Sequence, residues 1–183
     1  MGMPLTQITW QDVQQLPNDG NRHEAIRGEA YMTATPVIRH QLISHRLEVA
    51  LDRILVESGM GLVMSAPVGV EFPATGEGVQ PDIVFVARSR NAIIGEDWIR
   101  GAPDLVVEIL SPSTARRDRG IKLRLYERQG VEAYWIVDLD AEAVEVWSFD
   151  DGAQVRRFTD RLPVRLGDQT VGEIDLSEIF RRG

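Results

Sequence analysis

The sequence predicts an α/β (α+β) fold with a central mixed sheet flanked by helices. Three observations carry this. Two stretches, 37–58 and 115–129, read as helices, and each is closed by glycine. Strand-like apolar runs lie at 62–72, 79–86, 104–110, 131–138 and 143–149. Some links between these runs are too short for a crossover, so the sheet cannot be wholly parallel.

The elements follow in order. Thr9-Trp10-Gln11-Asp12 starts a short helix with Val13 and Leu16 on its apolar side, and Pro17-Asn18-Asp19-Gly20 ends it. Residues 23–26 and 29–32 flank Arg27-Gly28 and form an N-terminal hairpin. Pro36 precedes the first long helix, in which Ile43, Leu47, Ala50, Leu51, Ile54 and Leu55 recur at three- and four-residue steps. Residues 73–78 are a turn between two strands, and 87–103 a longer connection with a helical turn at 91–94. Ser111-Pro112-Ser113-Thr114 supplies cap residues for the second helix. Strands 131–138 and 143–149 pair across a tight link. A β-rich tail follows from Asp150, with strands 154–158 and 162–166, and 174–180 closes against the body.

At 183 residues the chain is expected to be one domain, 1–183. There is no cysteine, which excludes disulfides, thiolate metal sites and a cysteine nucleophile and fits a reducing cytoplasm. No apolar run approaches the roughly 18 residues of a membrane span. Met1 to Trp10 lacks a basic region followed by an apolar one, so neither membrane insertion nor export is expected. The net charge of −8 argues against a protein that coats nucleic acid nonspecifically. Local charge differs: Arg116, Arg117, Arg119, Lys122, Arg124 and Arg128 are opposed in their stretch only by Asp118 and Glu127. That stretch reads either as a phosphate-contacting surface or as a solvated helix face.

Nineteen of the twenty basic residues are arginine, and the single lysine is Lys122. Arginine stays charged, whereas a lysine pKa can be lowered, so an ammonium can polarise a water or handle a proton. Asp82 and Glu108 lie in apolar, strand-like runs, where a carboxylate is costly without a partner. By alternation Asp82, Val84 and Val86 share a face, as do Asp104, Val106, Glu108 and Leu110. Two carboxylates on adjacent strands can hold Mg²⁺ or Mn²⁺, with substrate phosphate completing the coordination. The competing reading makes Glu108 the partner of an arginine on the next helix, Asp82 a strand-start turn residue, and Lys122 a residue placed by chance. His40 and His45, five apart, do not share a helix face, which excludes a zinc pair. Gly76-Glu77-Gly78 is a turn rather than a phosphate loop, and no serine sits in a nucleophile elbow.

Four runs together are specific: Val79-Gln80-Pro81-Asp82; Gly101-Ala102-Pro103-Asp104-Leu105-Val106-Val107-Glu108-Ile109-Leu110-Ser111-Pro112-Ser113-Thr114; Asp118-Arg119-Gly120-Ile121-Lys122-Leu123; and Tyr134-Trp135-Ile136-Val137-Asp138. Over roughly 8–150 the chain closely resembles the bacterial Uma-two family, restriction-endonuclease-like proteins with the PD-(D/E)xK nuclease fold. The resemblance implies a restriction-endonuclease-like core. It implies Asp82 as the PD acid and Glu108 as the second acid, both on the metal. The superfamily lysine normally follows two residues after that acid, where this chain has Leu110; in the resembling family it comes from the next helix, which gives Lys122. An additional early acid is expected at Glu24, with Glu48 as the other candidate. His40, in Arg39-His40-Gln41, would contact substrate or make a helix-start hydrogen bond.

Two functions are therefore expected to compete. One is a Mg²⁺- or Mn²⁺-dependent endonuclease acting on DNA, with Asp82 and Glu108 on the metal, Lys122 assisting the attacking water, and Arg116, Arg117 and Arg119 on phosphate. Such enzymes often work as homodimers. The other is a catalytically silent nuclease-fold protein that acts as a binding or assembly module, motivated by the acidic composition and the short chain.

Overall fold

The computed structural model describes residues 7–17, 19–149 and 152–181. Asn18 of the predicted turn and Asp150 at the start of the predicted tail lie outside these residues. The short helix α1 (Trp10–Gln14) opens on a capping box: Thr9 accepts from the Asp12 N–H while Asp12 accepts from that of Thr9. Strands β1 (Arg22–Ile26) and β2 (Glu29–Thr33) form the expected hairpin. Its two-residue turn has positive φ at Arg27 and Gly28, the combination that matches strand twist.

The first long helix is α2 (Ile38–Leu51), prolonged by a π-helical turn at Asp52–Val56. Ile43, Leu47, Leu51 and Leu55 are its buried stripe, each stabilising the fold by about 1.5–3 kcal/mol. Two sequence expectations need correction here. The run 62–72 is two strands, β3 (Gly61–Ser65) and β4 (Val70–Phe72), in different sheets. Pro67 and Gly69 lie in the break, where the chain leaves one sheet for the other. The run 79–86 likewise divides at Gln80-Pro81-Asp82 into β5 (Glu77–Val79) and β6 (Ile83–Ala87). Gly78, read as a turn residue, is in β5. The Trp10 indole covers it so closely that a Cβ there would lie 2.3 Å from a ring carbon.

A 3₁₀ turn (Arg88–Ile93) and the short β7 (Ile99–Arg100) fill the long connection. Next come β8 (Leu105–Ile109) and the predicted second helix, which has three parts. These are α3 (Ala115–Arg117), a π-helical turn at Asp118–Lys122, and α4 (Leu123–Gln129), closed by Gly130 in the left-handed region. Thr114 precedes α3 without capping it: its hydroxyl accepts from the Ser111 N–H instead. Strands β9 (Ala133–Asp138), β10 (Ala143–Ser148), β11 (Gln154–Phe158), β12 (Arg161–Leu166) and β13 (Gln169–Asp175) precede the final α5 (Leu176–Phe180).

The central sheet has the order β11-β10-β9-β8-β6-β3, and only its β8–β9 pair is parallel, joined by the α3–α4 crossover. A second sheet runs β2-β1-β5-β4-β7, and β12 pairs with β13 alone. Alternation splits the core as expected. Ile83, Phe85, Leu105 and Val107 pack with α2, β12, β13 and α5. Val84, Val86, Val106 and Leu110 pack with α4 and the second sheet. Glu108 opens onto this second side, between the two sheets and α4. Among the described residues no helix is long and apolar enough to cross a membrane.

Candidate active site

Four elements converge at one end of this layer. Hairpin strand β1 sends Arg22 and Glu24 from the same face, two residues apart. Asp82 stands at the entry to β6 and Glu108 near the end of β8. The π-helical turn delivers Asp118 and Lys122, four residues apart. All these groups line a cavity of about 270 Å³, roofed by 33–37 on one side and 110–114 on the other.

Lys122 is only 3% exposed. Its Nζ lies 2.7 Å from Glu108 Oε1 and 2.8 Å from Glu24 Oε1, with Asp118 Oδ1 4.0 Å away. The Tyr126 hydroxyl, one helical turn on, also donates to Glu108 Oε1 at 2.7 Å. The Gln80 N–H donates to Glu24 Oε1. Asp82 accepts from Arg22 on Oδ1 (2.6 Å) and from the Ile109 N–H on Oδ2 (2.8 Å). His40 Nε2 is 3.2 Å from that second oxygen and 3.1 Å from the Ile109 carbonyl. A carbonyl only accepts, so Nε2 carries a proton.

Buried negative charge exceeds buried positive charge, and the titrations follow. Burial raises the Glu108 pKa, and the charges of Asp118, Asp82 and Glu24 raise it further against Lys122. Burial would lower the Lys122 pKa, but Glu108, Glu24 and Asp118 outweigh it and hold the ammonium more firmly than in water. This reverses the expectation that the lysine pKa could be lowered. Burial would raise Asp82 too; the His40 hydrogen bond and charge and the Arg22 guanidinium bring it below the ordinary carboxylate range.

The expected residues divide clearly. Asp82, Glu108, Lys122, Glu24 and His40 meet in one cavity. Glu48 does not: it accepts from the Ser65 hydroxyl elsewhere. Arg117 lines the cavity, donating to the Thr33 hydroxyl, with its guanidinium 5.6 Å from the Tyr31 ring centre and 4.0 Å from Glu24. Arg116 is exposed. Arg119 turns away to bind Glu145 and Asp138, so it is not free to hold phosphate. Glu108 pairs with the lysine rather than with an arginine. Sequence reasoning missed Arg22, Asp118 and Tyr126. Their signals were spacing: Arg22 on the strand face of Glu24, and Asp118 and Tyr126 one turn either side of Lys122.

Carboxylate oxygens suit a hard divalent cation. Among the described residues, Glu24 Oε2 and Asp118 Oδ1 are buried without a hydrogen-bond partner, and Glu108 spends only Oε1 on protein donors. The uncommitted Glu108 oxygen suits a cation. Asp82 is already satisfied at both oxygens, so a cation there competes with Arg22. Among the described residues, no three His, Asp or Glu side chains stand as a ready ligand set.

The chain matches the family model Uma2, "Putative restriction endonuclease", over residues 10–177. It belongs to that family. An uncharacterized protein of Synechocystis sp. is 24% identical over 98% of this chain and 91% of its own length. The solved structure of "a putative nuclease belonging to DUF820" from Anabaena variabilis superposes with a TM-score of 0.77 at 20% identity, covering 94% of this chain and 97% of that one. The fold of this Uma2 member is thus the restriction-endonuclease-like core expected from its sequence.

Proposed function

We propose that this Uma2 protein is a Mg²⁺- or Mn²⁺-dependent endodeoxyribonuclease whose catalytic centre is the cavity above. The observation that carries the reading is the Lys122 ammonium held between Glu24 and Glu108 in a cavity that Asp82 also lines. Family membership supports a nuclease-superfamily protein; metal, substrate and turnover are our reading.

Asp82 and Glu108 would hold the cation, and the chemistry supplied with it is charge stabilisation at the phosphoryl oxygens and a more acidic attacking water. His40 and the Ile109 N–H fix the Asp82 carboxylate. Glu24 and Tyr126 fix the Lys122–Glu108 pair. Two ammonium hydrogens are committed to Glu24 and Glu108, and the third remains to orient a water or a phosphoryl oxygen. Arg117, at the cavity wall, and the exposed Arg116 would meet the substrate backbone. Duplex cleavage would then use two copies of the chain.

One observation favours a second reading, a catalytically silent binding module: Asp82 has no oxygen left over. A cleavage assay on supercoiled plasmid, linear duplex and single strands decides between them, with Mg²⁺ or Mn²⁺ against EDTA and Asp82→Asn alongside. Metal-dependent cleavage lost in the variant is the expected result. Absence of cleavage on every substrate, with no Mn²⁺ uptake by calorimetry, favours the silent module.

A further inference from the structure

The site holds a carboxylate that the reading above does not use. Asp118 is 1% exposed and is among the residues lining the cavity, and its Oδ1 is buried without a hydrogen-bond partner among the described residues. A buried, unpartnered carboxylate oxygen is costly, and such groups call for a ligand or a chemical role. Its backbone is pinned: the Tyr134 hydroxyl donates to the Asp118 carbonyl at 3.2 Å. It sits at the start of the π-helical turn that ends at Lys122, a local widening often found at functional sites. Asp118 Oδ1 and Lys122 Nζ are 4.0 Å apart. That is too far for a direct hydrogen bond, and a water can accept from one and donate to the other.

Lys122 is a poor base here, because two carboxylates within 2.8 Å keep it an ammonium. Glu108 and Glu24 each give Oε1 to that ammonium; Glu24 Oε2 faces the Arg117 guanidinium at 4.0 Å, Glu108 Oε2 is left for the cation, and Asp82 serves three donors. We infer that Asp118 is the general base of this site, accepting a proton on Oδ1 from the water that attacks phosphorus. The inference rests on the proposed phosphodiesterase reading and adds a catalytic residue to it. In the step, the water oxygen forms a bond to phosphorus while its proton passes to Asp118 Oδ1. The bond from phosphorus to the leaving ester oxygen breaks, that oxygen takes a proton from solvent, and Asp118 later returns its own to solvent. Burial raises the Asp118 pKa, against Lys122, which brings a carboxylate closer to the basicity that proton transfer near neutral pH requires.

The test is Asp118→Asn in the full chain, followed on a DNA substrate that the unmodified protein cleaves. The expected result is a fall in kcat of about 10²–10⁴-fold with KM within about threefold, and unchanged Mn²⁺ binding by calorimetry. The parent rate should level off with rising pH once Asp118 is ionised, whereas the variant rate should keep rising as hydroxide takes over. A folded, Mn²⁺-binding variant that cleaves within about threefold of the parent overturns the inference. If Asp118→Asn does not fold, Asp118→Ala assayed with added formate decides: about tenfold or greater rescue supports the base, and absence of rescue overturns it. Absence of cleavage by the unmodified protein removes the phosphodiesterase reading and this inference with it, whereas full activity in Asp118→Asn removes this inference alone.

Discussion

Lys122 Nζ lies 2.8 Å from Glu24 Oε1, tying the π-helical turn to the N-terminal hairpin across a buried ion pair. The same ammonium holds Glu108. Removing it leaves Glu24, Glu108 and Asp118 buried together without their shared cation. Lys122→Met should therefore cost about 3–5 kcal/mol of stability, read by urea unfolding. Lys122→Met combined with Glu24→Gln should recover part of that loss, because one of the stranded charges is gone. A Lys122→Met variant as stable as the parent would contradict the geometry.

Asp82 gives a different result for its two obvious substitutions. Alanine strands Arg22 and the Ile109 N–H, whereas asparagine keeps an acceptor for one of them. Asp82→Ala should lose about 2–4 kcal/mol and Asp82→Asn less, with thermal melting as the measurement. Both should abolish metal-dependent cleavage. Asp82→Asn is thus the cleaner test of chemistry, since loss of activity in the alanine variant is mixed with loss of fold.

The three arginines should separate on nucleic acid. Arg119 is committed to Glu145 and Asp138, so Arg119→Ala should leave binding unchanged and cost at most about 1 kcal/mol of stability. Arg116→Ala and Arg117→Ala should each weaken DNA binding by an asparagine-inactivated (Asp82→Asn) background and reduce the slope of log K against log salt by about one. Fluorescence anisotropy over a salt series reads both. An Arg119→Ala variant that loses affinity, with Arg117→Ala unaffected, would reverse the assignment.

Much of this site was legible because its chemistry is expensive. Glu108 among Val106, Val107, Ile109 and Leu110, and one lysine among arginines, are patterns that apolar burial makes conspicuous. The fold was legible for the same reason: alternation in β6 and β8 and the stripe of α2 sort correctly into two cores. What local pattern does not carry is where a strand changes sheets. Runs 62–72 and 79–86 each read as one strand, yet each divides because the second sheet takes its latter or earlier half. Side-chain commitment was also hidden. Arg119 looked like Arg117 in sequence, and only the turn of the helix sends one to Glu145 and the other into the cavity. Asp118 read as a mere opposing charge in a basic stretch, because burial on a π-helical turn is a tertiary property.

The pH dependence of metal uptake follows from the two acids shifted in opposite directions. Glu108, raised by burial and by neighbouring carboxylates, favours the folded state while protonated. Its stability contribution is full below the ordinary glutamate range and is lost as pH rises through the elevated value. Asp82, held low against burial by His40 and Arg22, contributes above the ordinary aspartate range, and that contribution is lost as pH falls through the depressed value. A divalent cation needs both acids ionised, so Glu108 sets the limit: Mn²⁺ binding must expel its proton and should tighten as pH rises. The stabilisation of Tm by Mn²⁺ should therefore be larger above the elevated Glu108 pKa than at mildly acid pH, where Asp82 is already ionised. Glu108→Gln removes both the titrating proton and a ligand oxygen, so its Tm should not respond to Mn²⁺ at either pH. Melting curves over a pH series, with and without Mn²⁺, check this; a cation effect that grows toward acid pH would contradict the assignment of Glu108 as the acid that gates uptake.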